Sequence, residues 1–251
     1  MKRSTWIAGI IVLVFLLLWQ GMVWLFKLPP YLLPAPSLVV LTLVTNASMY
    51  ASATLVTLGE ALAGLLLGLM ASVLIASLLS LRPALEEGVM TLAILVKSTP
   101  LVAIAPLLTL WFGFGILPKI LITSLVTFFP LLVNLLTGLQ RVDRALIDLF
   151  KSWNASRWEI YSNLRLPSSL PFLFAGLKIS APLALIGAVV GEWTGASNGL
   201  GRIMWLAYSN LNLPYLFAPI LILSLAGMLV FRFLIWIEKK CIFWQAISMD
   251  E

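Results

Sequence analysis

Asp148-Leu149-Phe150-Lys151-Ser152-Trp153-Asn154-Ala155-Ser156-Arg157-Trp158-Glu159, followed by Leu164-Arg165-Leu166-Pro167, forms the long polar break in an otherwise apolar chain. Between Gln140 and Pro171 the sequence carries Arg141, Asp143, Arg144, Asp148, Lys151, Arg157, Glu159 and Arg165. Leu146, Leu149, Phe150 and Trp153 recur at i, i+3, i+4 and i+7, one stripe of an α-helix. Arg144, Asp148 and Lys151 run down another face, with Arg144 and Asp148 spaced to pair at i, i+4. Asn154 tolerates the left-handed conformation that closes a helix, so the first helix stops there. Ser156-Arg157-Trp158-Glu159 has the form of a capping box, with reciprocal bonds between the serine and the glutamate. A second helix is expected from Ser156 to about Leu166, because Pro167 disfavours a helical residue before it.

The surroundings of this break set its meaning. Of 251 residues, 61% are hydrophobic and 10% charged, with a mean hydropathy of +1.06. Soluble domains carry about 25% charged residues, so the chain is an integral membrane protein. No low-complexity tract or long linker divides it, and a single domain over 1–251 is expected. Histidine is absent and Cys241 is the single cysteine. This composition removes the commonest general base and transition-metal ligand and any multi-cysteine metal site. The net charge of +6 reads as cytoplasmic Lys and Arg rather than a nucleic-acid surface.

Six apolar runs are long enough to cross a bilayer as helices, which needs roughly 20 residues each. They are Trp6–Phe26, Ala51–Leu79, Val89–Phe112, Ile120–Leu139, Phe172–Trp193 and Tyr215–Ile237. The expected fold is all-α and polytopic, with a core about 51–238 and an extra N-terminal span at 5–26. The first run exceeds a secretory signal's apolar region and lacks its small-residue site, so it is expected to stay as an anchor. With a cytoplasmic N-terminus, that side receives Lys2, Arg3, Arg82, Arg141, Arg144, Lys151, Arg157, Arg165, Arg232, Lys239 and Lys240. The far side receives Lys27, Lys119 and Arg202. The imbalance puts both termini and the polar break in the cytoplasm.

On the far side, Leu28 to Ser37 is stiffened by four prolines, and Ser37 is expected to cap a short helix. Gly195-Ala196-Ser197-Asn198-Gly199-Leu200-Gly201 is read as a turn. A phosphate-cradling reading needs a preceding strand, whereas a membrane span precedes it.

The competing reading of the polar break is an amphipathic pair lying on lipid headgroups. Two reciprocal helix termini packed into three residues favour docking onto a protein instead, since lipid adsorption needs no fixed elbow. The segment resembles the cytoplasmic signature of permeases of ATP-binding-cassette (ABC) importers. Asp148-Leu149-Phe150 stands at the Glu-Ala-Ala position, Asn154 at the glycine, and Leu164-x-Leu166-Pro167 at the isoleucine-x-leucine-proline end. The departures are a shorter acidic arm, a bulkier face and a non-glycine turn. Leu33-Pro34-Ala35-Pro36-Ser37, Ala105-Pro106-Leu107, Trp111 to Gly115, Phe128-Phe129-Pro130, Ala155-Ser156-Arg157-Trp158 and the glycine loop resemble the nitrate/sulfonate/taurine branch. Glu192-Trp193 before that loop is similar to permeases for thiamine-precursor pyrimidines.

The resemblance implies a type I importer permease fold, two permease copies forming the pathway, and two ATPase subunits below. It further implies a periplasmic or lipid-anchored solute-binding protein above, in a bacterial inner membrane. ATP would be bound and hydrolysed by the partner, leaving the permease with no cofactor of its own. Residues 148–158 would be the coupling helix, Asp148 pairing with a basic residue of the ATPase and Asn154 setting the elbow. Leu149, Phe150 and Trp153 would supply buried contacts, with Ala155, Ser156, Arg157, Leu166 and Pro167 completing the docking element.

Four ionisable residues fall within or at the ends of spans: Glu60, Lys97, Lys178 and Glu192. An intramembrane charge costs about 2.5–3.5 kcal/mol on insertion scales and marks a candidate functional site. Lys178 and Glu192 lie near span ends, where snorkelling to the interface is the simpler reading. Lys97, just before Ser98-Thr99-Pro100, is the leading pathway candidate, with Glu60 and Glu192 beside it and Glu60 a possible partner. A membrane-embedded enzyme is the competing class. The sequence has no His-Glu-x-x-His helix and no Gly-x-Ser-x-Gly elbow, so no catalytic residue is assigned.

Overall fold

The computed structural model describes residues 2–243, so Met1 and 244–251 of the expected single unit lie outside the described residues. Among the described residues eleven α-helices build the architecture: α1 (Lys2–Leu25), α2 (Pro36–Thr45), α3 (Ala47–Leu81), α4 (Glu86–Ser98), α5 (Leu101–Phe112), α6 (Leu117–Gln140), α7 (Arg144–Ser152), α8 (Arg157–Ile160), α9 (Leu166–Trp193), α10 (Leu200–Ser209) and α11 (Leu213–Cys241). Among the described residues, four helical runs are long and apolar enough to cross a membrane: α3, 157–193, α6 and α11. Five of the six expected spans correspond to these four runs and the bent α4–α5 pair, while the first falls on α1, whose described apolar stretch Gly9–Leu25 is shorter.

The third crossing departs from the continuous span expected over 89–112. Thr99 precedes Pro100 and is forced extended (φ −74°, ψ 128°) because a residue before proline clashes in the α region. The two halves meet at 93°.

α3, α6 and α9 form the core through small residues, which let helix backbones approach closely where lipid offers no hydrophobic drive to pack. Gly64 and Gly68 of α3 sit against Thr123 and Thr127 of α6, with no room for a Cβ at either glycine. Ser72 donates to the Phe128 carbonyl at 2.9 Å. Contacts therefore rise together along both chains, and α3 and α6 run parallel. One crossing between them must run the opposite way, so the bent α4–α5 pair traverses the layer. α9 runs antiparallel to α6: a Cβ on Gly187 would lie 2.9 Å from Thr123 Cα, and one on Gly191 3.0 Å from Lys119 Cα. Ala76, Leu79, Leu132, Leu135, Leu139 and Tyr161 fill the end of the bundle nearest the polar break.

α11 returns antiparallel to α9, fastened by Lys178 Nζ to Glu238 at 2.9 Å. That ion pair replaces the snorkelling expected of Lys178. At the opposite end Trp19 of α1 packs on Phe217 of α11, ring centroids 5.7 Å apart. Ser37 does not cap α2. Ala35 occupies the cap position with Pro36 in the first turn, and the Ser37 amide donates to Gln20 Oε1 at 3.1 Å. Large apolar side chains on α1, α4, α5 and α11 remain exposed, as lipid-facing or partner-facing helices require.

Candidate functional site

The polar break folds as an exposed elbow. Asp143 accepts from the Ala145 amide at 2.9 Å and starts α7, a cap the sequence reading passed over. Leu146 and Leu149 are each 44% exposed and Trp153 is 69% exposed, so the apolar stripe faces outward. The Phe150 ring lies 5.9 Å from that of Trp153. Asn154 adopts φ +58°, the Asn154 amide donates to the Lys151 carbonyl, and Ala155 donates to that of Phe150. These two bonds close the helix end in the Schellman arrangement. Ser156 N–H donates to Glu159 Oε2 at 2.7 Å and Glu159 N–H to Ser156 Oγ at 3.2 Å, completing the capping box.

Two local expectations are corrected. Asp148 pairs with Lys151 at 3.1 Å rather than with Arg144; both side chains are solvent-facing, so the pair adds little stability. The second helix does not end before Pro167. It continues through a π-helical turn over Tyr161–Arg165 into α9, which places Pro167 in the first turn of α9 and leaves Pro171 inside that helix. Across this wider turn the Leu166 amide donates to the Tyr161 carbonyl. Leu166 packs into the bundle core, and neither it nor Pro167 joins the exposed stripe.

The elbow is tied to the membrane bundle by side chains. Trp158 stacks on Tyr161, centroids 5.4 Å apart, and the Tyr161 hydroxyl meets that of Ser77. Arg165 Nη1 donates to the Ser80 carbonyl at 3.0 Å and its hydroxyl at 2.9 Å. Between α7, α8 and the end of α3 lies a cleft of about 640 Å³, lined by Arg144, Asp148, Lys151, Arg157 and Arg165 among others.

A second polar site lies at the other end of the bundle. Glu60 is 2% exposed, Lys119 7% and Glu192 0%. Lys119 Nζ lies 2.7 Å from Glu60 Oε1. The Thr57 hydroxyl donates to Glu192 Oε1 at 2.6 Å and accepts from the Leu200 amide at 2.9 Å. Gly201 N–H donates to Glu192 Oε2. Glu192 thus occupies the N-terminus of α10, where free amides favour an anion. Gly199 (φ +123°) has no space for a Cβ because the Glu192 carboxylate fills it. Glu192 is therefore an internal ligand rather than a snorkelling rim residue, and the glycine loop turns back to cover it.

Residues 64–242 match the family described as binding-protein-dependent transport system inner membrane component. The chain belongs to that family. It is 37% identical over 217 residues to the formylaminopyrimidine transport permease protein ThiX of Halalkalibacterium halodurans, covering 86% of this chain and 87% of that protein. It is 32% identical over 251 residues to the riboflavin transport system permease protein RibX of Chloroflexus aurantiacus, covering 98% and 94%. Its fold is similar to the MetNI methionine ABC transporter in inward-facing conformations, with a TM-score of 0.70 at 19% identity over 78% of this chain and 98% of that one.

The protein is an ABC importer permease of the nitrate/sulfonate/taurine branch, a transport component and not an enzyme. As such it works with an ATPase and a solute-binding protein. The permease brings Asp148, Leu149, Phe150, Trp153, Asn154, Ala155, Ser156 and Arg157 onto one elbow. Of the three candidate pathway residues, Lys97 is exposed, its ammonium 4.5 Å from the centroid of the Phe129 ring. Glu60 and Glu192 are turned inward, and Glu60 takes Lys119 rather than Lys97 as partner. Lys119 was missed as a site residue because it sits between Pro118 and an apolar run, where a loop lysine reads equally well.

Proposed function

We propose that this permease carries a thiamine-precursor pyrimidine across the bacterial inner membrane, with both termini and the elbow cytoplasmic. Two identical copies would line the pathway in lipid, each acting as one domain. The similarity to ThiX over most of both chains supports the pyrimidine.

The observation that carries the coupling role is the exposed Leu149 and Trp153, with Phe150 half-buried between them, on a helix closed at Asn154 and recapped at Ser156. ATPase subunits would seat that stripe in a groove, with Asp148 against a basic side chain. ATP would be bound and hydrolysed by those subunits, and the permease would hold no cofactor. Closure of the ATPases would move the elbow as a rigid body and rock the attached spans.

The test joins copurification to uptake. Solubilised permease should carry a stoichiometric ATPase, and cells expressing the full system should accumulate labelled formylaminopyrimidine in competition with unlabelled pyrimidine. A clean permease with no ATPase would overturn the docking role. Uptake of taurine or nitrate but not pyrimidine would move the substrate to the second reading, a small anion. The exposed Lys97 ammonium at the break of the third crossing favours that reading.

A further inference from the structure

We propose that the cleft behind the elbow holds the phosphate of an anionic phospholipid headgroup, drawn from the leaflet on the elbow's side of the membrane. This rests on the placement of the bundle in a bilayer, and not on the ATPase seat or on the solute carried. α7 presents two rows of residues at i, i+3, i+4 and i+7. Leu146, Leu149, Phe150 and Trp153 form the apolar row. Arg144, Ile147, Asp148 and Lys151 form the other, and all four line the cleft. Shifted by two residues, the rows stand about 200° apart around the helix axis. A partner that seats Trp153 therefore leaves the charged row turned away from it, toward the end of α3 and the π-helical turn.

The charged row meets further bases there. Arg157 and Arg165 line the same cleft of about 640 Å³, within the ordinary size range of small-ligand sites. Asp148 is the one carboxylate among the lining residues, and it already holds Lys151 at 3.1 Å. Among the described residues no carboxylate pairs with Arg144, Arg157 or Arg165, so three guanidinium charges share one concavity. Arg144 also stands in the first turn of α7, where a cation opposes the helix dipole, so helix stability gives no reason for it. Arg165 is fixed by two bonds from Nη1 to Ser80, while its Nε is buried with no acceptor among the described residues. A buried donor without a partner is costly, and guanidinium groups grip phosphate oxygens through paired N–H donors.

The walls select the source of that phosphate. Ser80, Leu81 and Pro83 mark the point where α3, a membrane-spanning helix, ends, which sets the cleft at headgroup depth. Leu81, Ile147 and Ile160 supply an apolar side suited to a glycerol backbone and its first methylenes. Basic pockets beside the ends of spans take anionic headgroups in this way.

The test uses the permease copurified with its ATPase in detergent, incubated with phosphatidylglycerol or phosphatidylcholine and weighed intact by native mass spectrometry. The natural complex should retain phosphatidylglycerol in preference, and equal retention of the two lipids overturns the proposal. Each base at an anionic surface is worth about fivefold in affinity, so Arg144→Gln with Lys151→Gln should weaken retention about 30-fold and keep the ATPase bound. The charge-preserving pair Arg144→Lys with Lys151→Arg should recover most of it. Arg232→Gln with Lys239→Gln, exposed bases toward the end of α11, should leave retention unchanged. An equal loss in that control pair would reduce the effect to bulk charge and overturn the cleft. Loss of the ATPase rather than the lipid from Arg144→Gln with Lys151→Gln would give the cleft to an acidic surface of the partner, contrary to the proposal. Displacement of the lipid by millimolar inorganic phosphate would assign the site to a free anion and overturn the lipid source. Trp153→Ala should shed the ATPase and keep the lipid, which separates a failure of the docking reading from a failure of this one.

Discussion

Lys119 Nζ sits 2.7 Å from Glu60 Oε1, joining the first turn of α6, directly after Pro118, to the interior of α3. Its charge is nearly enclosed. Lys119→Met should cost on the order of 3–5 kcal/mol, the usual consequence of stripping one partner from a buried ionic group. Thermal unfolding of the detergent-solubilised complex measures it. A loss below about 1 kcal/mol would show that the lysine reaches water.

Gly199 poses a steric question next to the same cluster. Its φ of +123° belongs to a region that L side chains rarely adopt, at a cost of about 1–3 kcal/mol. A methyl there would also displace the Glu192 carboxylate. Gly199→Ala should therefore lower folded yield more than Gly59→Ala, whose added Cβ meets only open space. Equal yields for the two variants would contradict the packing described.

At the elbow, Trp153→Ala removes the most exposed member of the apolar stripe. An anchoring aromatic at an interface is worth about 2 kcal/mol or more, so ATPase retention should fall roughly 30-fold. Asp148→Arg should abolish retention while membrane insertion stays intact. Copurification ratios give the answer, and unchanged retention in both variants would return the segment to the lipid surface.

Asn154 occupies a left-handed position where glycine is easier. Asn154→Gly should leave docking intact and relieve at most about 1 kcal/mol of strain, whereas Asn154→Val should disrupt the turn. Comparable ATPase retention for the glycine and valine variants would mean that the elbow's geometry is not what the partner reads.

Lys97→Met tests the exposed cation at the break of the third crossing. Loss of uptake with normal complex assembly assigns Lys97 to the pathway. Full uptake with unchanged substrate preference removes it.

The elbow was readable from sequence because its determinants are local. The Ser156–Glu159 box and the turn at Asn154 depend on residues within a few positions of each other, and both formed as expected. Pro167 misled for a reason the sequence does not display: a π-helical turn shifts the register so that a proline expected to end a helix opens one instead. The buried polar site lay beyond reach because Thr57, Glu60, Lys119, Glu192 and Gly201 come from four helices. Lys119 read as a loop lysine, Glu192 as a rim residue, and nothing in their local pattern announces a meeting. Thr99-Pro100 stood between these cases: the apolar run over 89–112 marked a crossing, but not its 93° bend.

The unbroken helical run from Arg157 to Trp193 has a mechanical consequence. At about 1.5 Å per residue its 37 residues make a rod of roughly 55 Å, with the recapped elbow at one tip and Glu192 near the other. Five degrees of tilt about the elbow tip would swing the far tip by about 5 Å, the pitch of one helical turn. The displacement grows along the rod from the elbow, so a small tilt there is felt most beside Glu192, at the opposite end of the bundle.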